Sequence, residues 1–494
     1  MTSIPPTDET ARAELAAEVE LADRHAEEAP PPGIGRQLAI LAVGSALFMQ
    51  FIDQTALSTA LPTLAAAFRI PPLNLKLVLT SYILVQAVVV PASGWAADRW
   101  GARRIFIGAM AVFLLGSVLC GLSRTLGELV LFRILQGAGA AMIMPVGRII
   151  VVGQSPREHL VRSMALLTTP AMVGPIIGPP LTGLILQVAS WPWIFYINLP
   201  VGLLGMLAVW KFVPKLREPH PGRFDTVGFV LAALAMSTAM GLAETLGFNL
   251  IPWTIQVAAL VVAVVSTVAF FHHVRHTERP VLDLTLLRFK SFRASVTAGT
   301  LVRIGIGATP FLMPLLMQIA LGWSALHAGL LVVGMAIGAL LSRPLAARMM
   351  RALGFRTVLV ISAVLVAVLT VAPGFFRPTT PVPLMFLALA AGGFVRATQF
   401  TASNALSFAE IDQKLITAAS TLQAVVMQLS ISMGITVGSL VLALVRSRAG
   451  GGPLTPEQFS LPFCLVGALS LLATPIYLGL HKEVGADMAG RRRR

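Results

Sequence analysis

Gly94-Trp95-Ala96-Ala97-Asp98-Arg99-Trp100-Gly101-Ala102-Arg103-Arg104 is the stretch whose reading decides the fold. It is short, punctuated by glycine and rich in charge. Apolar runs long enough to span a membrane lie on both sides of it, at 75–97 and 104–123. A chain that turns this tightly between two such runs is a helical hairpin crossing a bilayer twice. About 20 apolar residues carry a helix across ~30 Å of hydrocarbon, and only closed hydrogen bonding within each segment is tolerated there.

Working outward, the same pattern repeats along the chain. Candidate spans fall at 38–60, 75–97, 104–123, 126–150, 162–188, 193–213, 225–245, 252–274, 294–318, 325–348, 356–374, 381–403, 416–446 and 459–481. A 56% hydrophobic and 12% charged composition and a mean hydropathy of +0.81 are far from soluble averages. Span length, with no short alternating strands, selects helices over a barrel. The fold class expected is therefore an all-α integral membrane protein with 14 transmembrane helices.

Charge gives the orientation. Of the 37 lysines and arginines, 25 fall in even-numbered loops or the C-terminal tail, and six on the opposite side: Arg69, Lys76, Arg124, Arg377, Arg446 and Arg448. The positive-inside rule puts the even loops and both termini in the cytoplasm. The net charge of +15 is spread over loops flanking spans, which fits topology and anionic lipid headgroups rather than nucleic acid.

Residues 1–36 carry eight acids and end in Pro30-Pro31-Pro32-Gly33. They have too little apolar surface to fold alone and read as a disordered cytoplasmic tail, with no cleaved signal peptide. Cys120 and Cys464 lie in separate apolar segments and read as packing residues. No Walker loop, Ser-His-Asp set or metal-spaced cluster is present. His272 and His273 close a span and read as polar termini. An enzyme, a catalytic residue, a metal and a bound cofactor are all unexpected.

An echo of the opening stretch lies at Ala346-Ala347-Arg348-Met349-Met350-Arg351-Ala352-Leu353-Gly354-Phe355-Arg356, where Arg351 stands in the place of Asp98. Spans 1–6 and 9–14 then form two repeats, with spans 7 and 8 inserted between them. Further motifs follow in order. They are Asp53-Gln54-Thr55 through Ala60-Leu61-Pro62, Arg133-Ile134-Leu135-Gln136-Gly137-Ala138-Gly139, Gly174-Pro175-Ile176-Ile177-Gly178, Trp193 through Asn198-Leu199-Pro200-Val201-Gly202, and Pro314-Leu315-Leu316-Met317-Gln318. Together with the Asp98 loop they resemble the major facilitator superfamily, in its fourteen-span drug:proton antiporter branch of EmrB/QacA type. Arg303-Ile304-Gly305 and Met427-Gln428-Leu429-Ser430 look most like its MdtD-type subgroup. Pro179 departs from the family's second terminal glycine, and Pro192 stands where Arg is common.

The resemblance implies a major facilitator fold divided as 1–36 tail, 37–213 N-terminal six-helix bundle, 214–293 inserted hairpin and linker, 294–481 C-terminal bundle and 482–494 basic tail. It implies multi-pass residence in a bacterial inner membrane and proton-driven efflux of small amphipathic compounds by alternating access. The partners would be a small-molecule substrate, protons and lipid, with accessory efflux proteins left open. Exporting organic anions or metal–carboxylate chelates is the alternative within transport, and a non-transporting sensor or scaffold the alternative outside it.

Gly94, Asp98, Arg99, Gly101, Arg103 and Arg104 would form the gating loop, the glycines permitting tight contact and turning. Gly174, Pro175 and Gly178 would be the antiporter motif or a packing site. Arg133 lies about seven residues, ~10 Å, into its span and Asp53 about sixteen residues, ~24 Å, into its own. Entering from opposite sides, they reach similar depth, and the resemblance, in whose fold the first and fourth spans line the cavity, implies that Asp53 and Arg133 pair there and couple protons. A charge so deep is costly without a partner or a wet cavity. Gln136 shares the face of Arg133 and, with Arg303 near mid-membrane and Arg396 in the inner half of its span, is a substrate-cavity candidate. Three embedded cations against one deep carboxylate favour anionic cargo. Glu244 reads as a wetted span end.

Overall fold

The computed structural model describes residues 33–155, 160–214, 222–245, 252–412 and 415–481. The two predicted tails lie outside these residues, except that the helix of the first span begins at Gly33.

Fourteen helices are long and apolar enough to cross a membrane: α1 Gly35–Phe68, α2 Pro72–Trp100, α3 Ala102–Leu122, α4 Leu126–Gln154, α5 Arg162–Val188, α6 Trp193–Phe212, α7 Thr226–Thr245, α8 Trp253–His276, α9 Lys290–Ala320, α10 Ala325–Leu353, α11 Phe355–Phe375, α12 Val382–Ser407, α13 Ile416–Arg448 and α14 Pro456–Leu478. The protein is thus a multi-pass membrane protein, all-helical over the described residues. Each expected span is found, with ends moved by a few residues.

α1–α6 pack as one bundle and α9–α14 as another, with α7 and α8 paired beside them. The bundles meet along two seams, α5 on α10 and α2 on α13, and α9 also touches α1. α7 reaches both α2 and α13. The valine-rich face of α8, including Val261, Val264, Val265 and Val268, is exposed. In a bilayer that face meets acyl chains at no cost, which explains a helix apolar all round.

The repeat is visible in the backbone. Gly101 (φ +89°) and Gly354 (φ +84°) each end one helix and begin the next. A side chain is strained in that region, so glycine is the residue that lets the chain reverse without a loop. Inside the bundles, small residues bring backbones together: a Cβ on Gly338 would collide with the Ala390 carbonyl, and one on Gly393 with that of Met335, locking α10 to α12. α9 is broken, its regular helix ending at Gly307 and the rest running through Pro310 and Pro314 into a wider turn at Leu315–Ala320. Two prolines remove two backbone donors, so the ladder shifts register there.

At the face where α1 ends and α10 begins, hereafter the Phe68 face, the bundles are in contact. Ser58 Oγ donates to the Pro310 carbonyl at 2.5 Å, and Gln318 Nε2 to the Thr59 carbonyl at 2.7 Å. Gln428 Nε2 of α13 donates to Gln86 Oε1 of α2 at 2.7 Å near mid-helix. Gly183 lies against Leu326, and Gly329 against the Pro179 carbonyl.

Candidate functional site

Asp53 sits one helix face away from the glycines of α5. Gly174 abuts Phe48, Phe51 and Ile52, and Gly178 abuts Thr55 and the Ile52 carbonyl. The antiporter motif is therefore a packing surface that holds the Asp53 turn of α1, with half-buried Pro175 between the two glycines.

From that turn the carboxylate points into a closed polar network. Arg133 Nη1 donates to Asp53 Oδ2 at 2.7 Å, and Gln136 Nε2 and Asn198 Nδ2 donate to Oδ1 at 2.8 and 2.9 Å. Ser117 Oγ of α3 takes further bonds from Gln136 at 2.7 Å and Asn198 at 3.3 Å. Arg133 Nη1 also reaches Gln136 Oε1 at 2.5 Å, and its Nε reaches the Val78 carbonyl at 3.3 Å. Its guanidinium carbon stands 3.9 Å from the centre of the Tyr82 ring, a cation–π contact that covers the plane of the charge. Arg133 is 0% and Asp53 2% exposed.

The pair forms as its depth predicts, but its surroundings differ from expectation. The partners come from α1, α2, α3, α4 and α6, so Asp53, Arg133 and Gln136 occupy the interior of the N-terminal bundle, not the space between the bundles. The physical reason is hydrogen-bond capacity. Five helices supply partners for both Asp53 oxygens and for Nε and Nη1 of Arg133, while Arg133 Nη2 is buried without a hydrogen-bond partner among the described residues. Asn198 lay within the Asn-Leu-Pro motif and could have been read from it. Ser117 carried no signal, since most hydroxyls on apolar helices bond their own carbonyls.

Two charges expected at a wet surface are buried instead. Lys76, expected on the outer side where the second span begins, is 0% exposed within α2, and Glu244 is 5% exposed at the end of α7. Lys76 Nζ is 3.2 Å from Glu244 Oε2, and Thr436 Oγ1 of α13 donates to Glu244 Oε1. Neutralisation by the partner is what allows each to leave water.

The gating loop sits at the opposite face from Phe68. Asp98 is half-buried, and Arg99 and Arg104 are exposed. Arg103 Nη2 donates to the Trp210 carbonyl of α6, and Trp95 Nε1 to the Gly222 carbonyl at 2.9 Å. Gly101 makes the expected turn, but the tight contact expected of Gly94 is absent: a Cβ there meets nothing within 4 Å. His273, at the same face, lies 2.7 Å from Asp225 Oδ1. Burial pushes the Asp225 carboxyl up, but the Gly228 and Val281 amides and His273 together hold it below the ordinary carboxylate range.

In the C-terminal bundle, Arg303 of α9 and Arg396 of α12 line one small cavity with Gly299, Gln399 and Ser403. They are 6% and 8% exposed. Arg396 Nη2 donates to Thr370 Oγ1 at 3.2 Å. Arg303 Nε and Nη2 and Arg396 Nε and Nη1 are buried without a hydrogen-bond partner among the described residues. Neither arginine has an ion pair to a carboxylate there. No His/Cys/Asp/Glu group fit for a metal is found among the described residues.

The family model for the Major Facilitator Superfamily matches residues 43–287 and 295–489. A protein named "Putative multidrug resistance protein MdtD" in Pectobacterium carotovorum subsp. carotovorum (strain PC1) is 38% identical over 427 residues, covering 84% of this chain and 89% of that protein. Its namesake in Serratia proteamaculans (strain 568) is 38% identical over 452 residues, covering 88% and 92%. Among solved structures, a POT family transporter in complex with 5-aminolevulinic acid superposes with a TM-score of 0.69 at 14% identity, covering 94% of this chain and 99% of that one. A bacterial homologue of the human lysosomal transporter Spinster, inward-facing and occupied, gives 0.64 at 14% identity, covering 89% and 95%. Fold and relatives together support a secondary transporter, not an enzyme, and the relatives are named for multidrug resistance. The chain belongs to the Major Facilitator Superfamily.

Proposed function

We propose that the protein is a proton-coupled antiporter that exports small amphipathic compounds across a bacterial inner membrane by alternating access, with both termini in the cytoplasm. The observation that carries this reading is the buried Asp53–Arg133 pair. A proton arriving at Asp53 cancels the carboxylate and leaves the Arg133 guanidinium without its countercharge. Gln136 and Asn198 still hold the neutral acid, while Arg133 keeps only the Val78 carbonyl, the Gln136 amide oxygen and the Tyr82 face. A lone buried cation is strongly unfavourable, so protonation favours any state in which Arg133 meets water or another acceptor. Because the network draws on five helices, that bias reaches the whole N-terminal bundle. The Phe68 face, closed here, is read as the outer one.

Everted vesicles test this. An imposed proton gradient should drive dye uptake by the parent, and Asp53→Asn should abolish it at equal expression. Gradient-driven uptake at the parent rate by Asp53→Asn would move the proton site elsewhere.

One observation favours a second reading, the export of organic anions or metal–carboxylate chelates. The Arg303–Arg396 cavity presents two guanidiniums and no carboxylate among its lining residues, and a planar fork suits carboxylate oxygens. Under this reading Arg303→Ala weakens transport of di- and tricarboxylates more than of cationic dyes, and Arg303→Lys restores it in part. Improved dye efflux in Arg303→Ala, with no carboxylate transport in the parent, would rule it out.

A further inference from the structure

We infer that Lys76, Glu244 and Thr436 form a second proton-responsive site, a latch whose carboxylate senses whether the two bundles are closed on each other at the Phe68 face. Asp53 and Glu244 are the two buried carboxylates among the described residues, and they differ in where their partners come from. Among the described residues every donor to Asp53 belongs to the N-terminal bundle. Glu244, on the inserted hairpin, is held on one oxygen by Lys76 of the N-terminal bundle and on the other by Thr436 of the C-terminal bundle. A rocking motion within the Asp53 bundle is not required for alternating access, whereas separation of α2 from α13 is. Glu244 therefore loses a partner and meets water when the Phe68 face opens.

The ionisable surroundings are sparse. α2 brings Lys76 to the carboxylate, and its other ionisable groups are Tyr82 in the Asp53 network and Asp98 and Arg99 at the far end. Those of α13 are Arg446 and Arg448 in its last turn. On α8 they are His272, His273, Arg275 and His276, at the opposite end from Glu244. Among the described residues, one cation and one hydroxyl hold this acid.

The proton balance is simple. A proton from the aqueous phase at the Phe68 face binds a Glu244 oxygen, no other bond is made or broken covalently, and Lys76 stays an ammonium. The neutral acid offsets that ammonium less than the carboxylate did, which weakens the closed state, and separation of α2 from α7 and α13 opens the pair to water. α2 also carries the Val78 carbonyl and the Tyr82 ring that hold Arg133. The same two helical turns thus touch both ion pairs. The latch rests on the alternating-access part of the proposed function, and it responds to protons whether or not they are the coupling ion.

Distance measurements between spin labels test it. Labels go at Ala67→Cys and Ser447→Cys, exposed ends of α1 and α13, in a Cys464→Ser background. Cys120 is buried and escapes labelling. In lipid nanodiscs taken from pH 8 down to pH 4, the parent should shift to longer distances on acidification. Glu244→Gln, which imitates the protonated acid, should show the long population at every pH. Thr436→Val keeps the ion pair and should move the midpoint of the shift to higher pH. Asp53→Asn should retain the shift, and since the readout needs no transport, failure of proton coupling in vesicles leaves the latch standing. A parent that does not move, a Glu244→Gln that still moves as the parent does, or loss of the shift in Asp53→Asn overturns the assignment. Should Glu244→Gln not fold, an unchanged midpoint in Thr436→Val overturns it equally.

Discussion

Asp53→Asn removes a charge but almost no volume, so its cost measures the electrostatics of the pair. Arg133 is fully buried, 2.7 Å from Asp53 Oδ2. An exposed pair at that distance contributes about 0–1 kcal/mol, whereas breaking a buried one costs about 3–5 kcal/mol because the remaining charge is stranded. The amide keeps a carbonyl oxygen that can accept from Gln136 and Asn198, so little of the loss comes from those bonds. Its new NH2 group instead faces the Nη1 donor of Arg133. Arg133→Gln strands Asp53 in the same way. The double variant strands neither, and Gln can return one bond to Asn. The two single changes should therefore be far from additive, with a coupling energy of about 3 kcal/mol, the upper end for residues in contact. Reversible unfolding of the four proteins in mixed micelles, with denaturing detergent as titrant, gives the cycle directly. Additivity within about 0.5 kcal/mol would mean that the pair does not hold the folded bundle, and the coupling argument would fall with it.

Three further outcomes follow from other parts of the molecule. Gly101→Val should cost about 1–3 kcal/mol, because φ is +89° there, while Gly94→Ala should stay within about 0.5 kcal/mol; equal effects in a thermal melt would refute the division of roles within the loop. Gly338→Ala should separate α10 from α12 at a cost of about 1–3 kcal/mol and lower the melting temperature, since its Cβ meets the Ala390 carbonyl; an unchanged melt would contradict that close packing. The Asp225 carboxyl is held below its ordinary value, so its contribution is fully present above the unfolded pKa of about 3.9 and fades only as pH falls through the depressed one. Hydrogen exchange at the Gly228 and Val281 amides should be equally protected at pH 7 and pH 5, beyond the intrinsic pH effect, and loosened at both by Asp225→Asn; protection lost between those pH values would reverse the sign.

What could be read from the sequence was what depends on length and count. Fourteen spans follow from apolar run length, and the common depth of Asp53 and Arg133 follows from 1.5 Å per residue counted from opposite ends. That their helices are neighbours comes from the family resemblance. The reading failed where the answer depends on which way a side chain turns. Lys76 and Glu244 each lie near the end of a span, where one helical register leads to water and the next leads inward, and neither shows its partner in sequence because the two are far apart in the chain. Likewise the pair at Asp53 could be located in depth but not assigned to a bundle interior, since that required knowing that Ser117 and Asn198 converge on it. Gly94 is expected in contact because it opens the gating-loop motif, yet a Cβ there meets nothing within 4 Å.

The two seams between the bundles are built of unlike material, and that makes them mechanically unequal. The α2–α13 seam is pinned by side chains, which can let go one at a time and re-form. The α5–α10 seam at the Phe68 face is backbone against backbone, with Gly183 on Leu326 and Gly329 on the Pro179 carbonyl. Nothing there can swing aside to make room. Any residue with a side chain at either glycine acts as a doorstop, wedging that edge ajar and denying the molecule one of its end states while leaving each bundle internally intact.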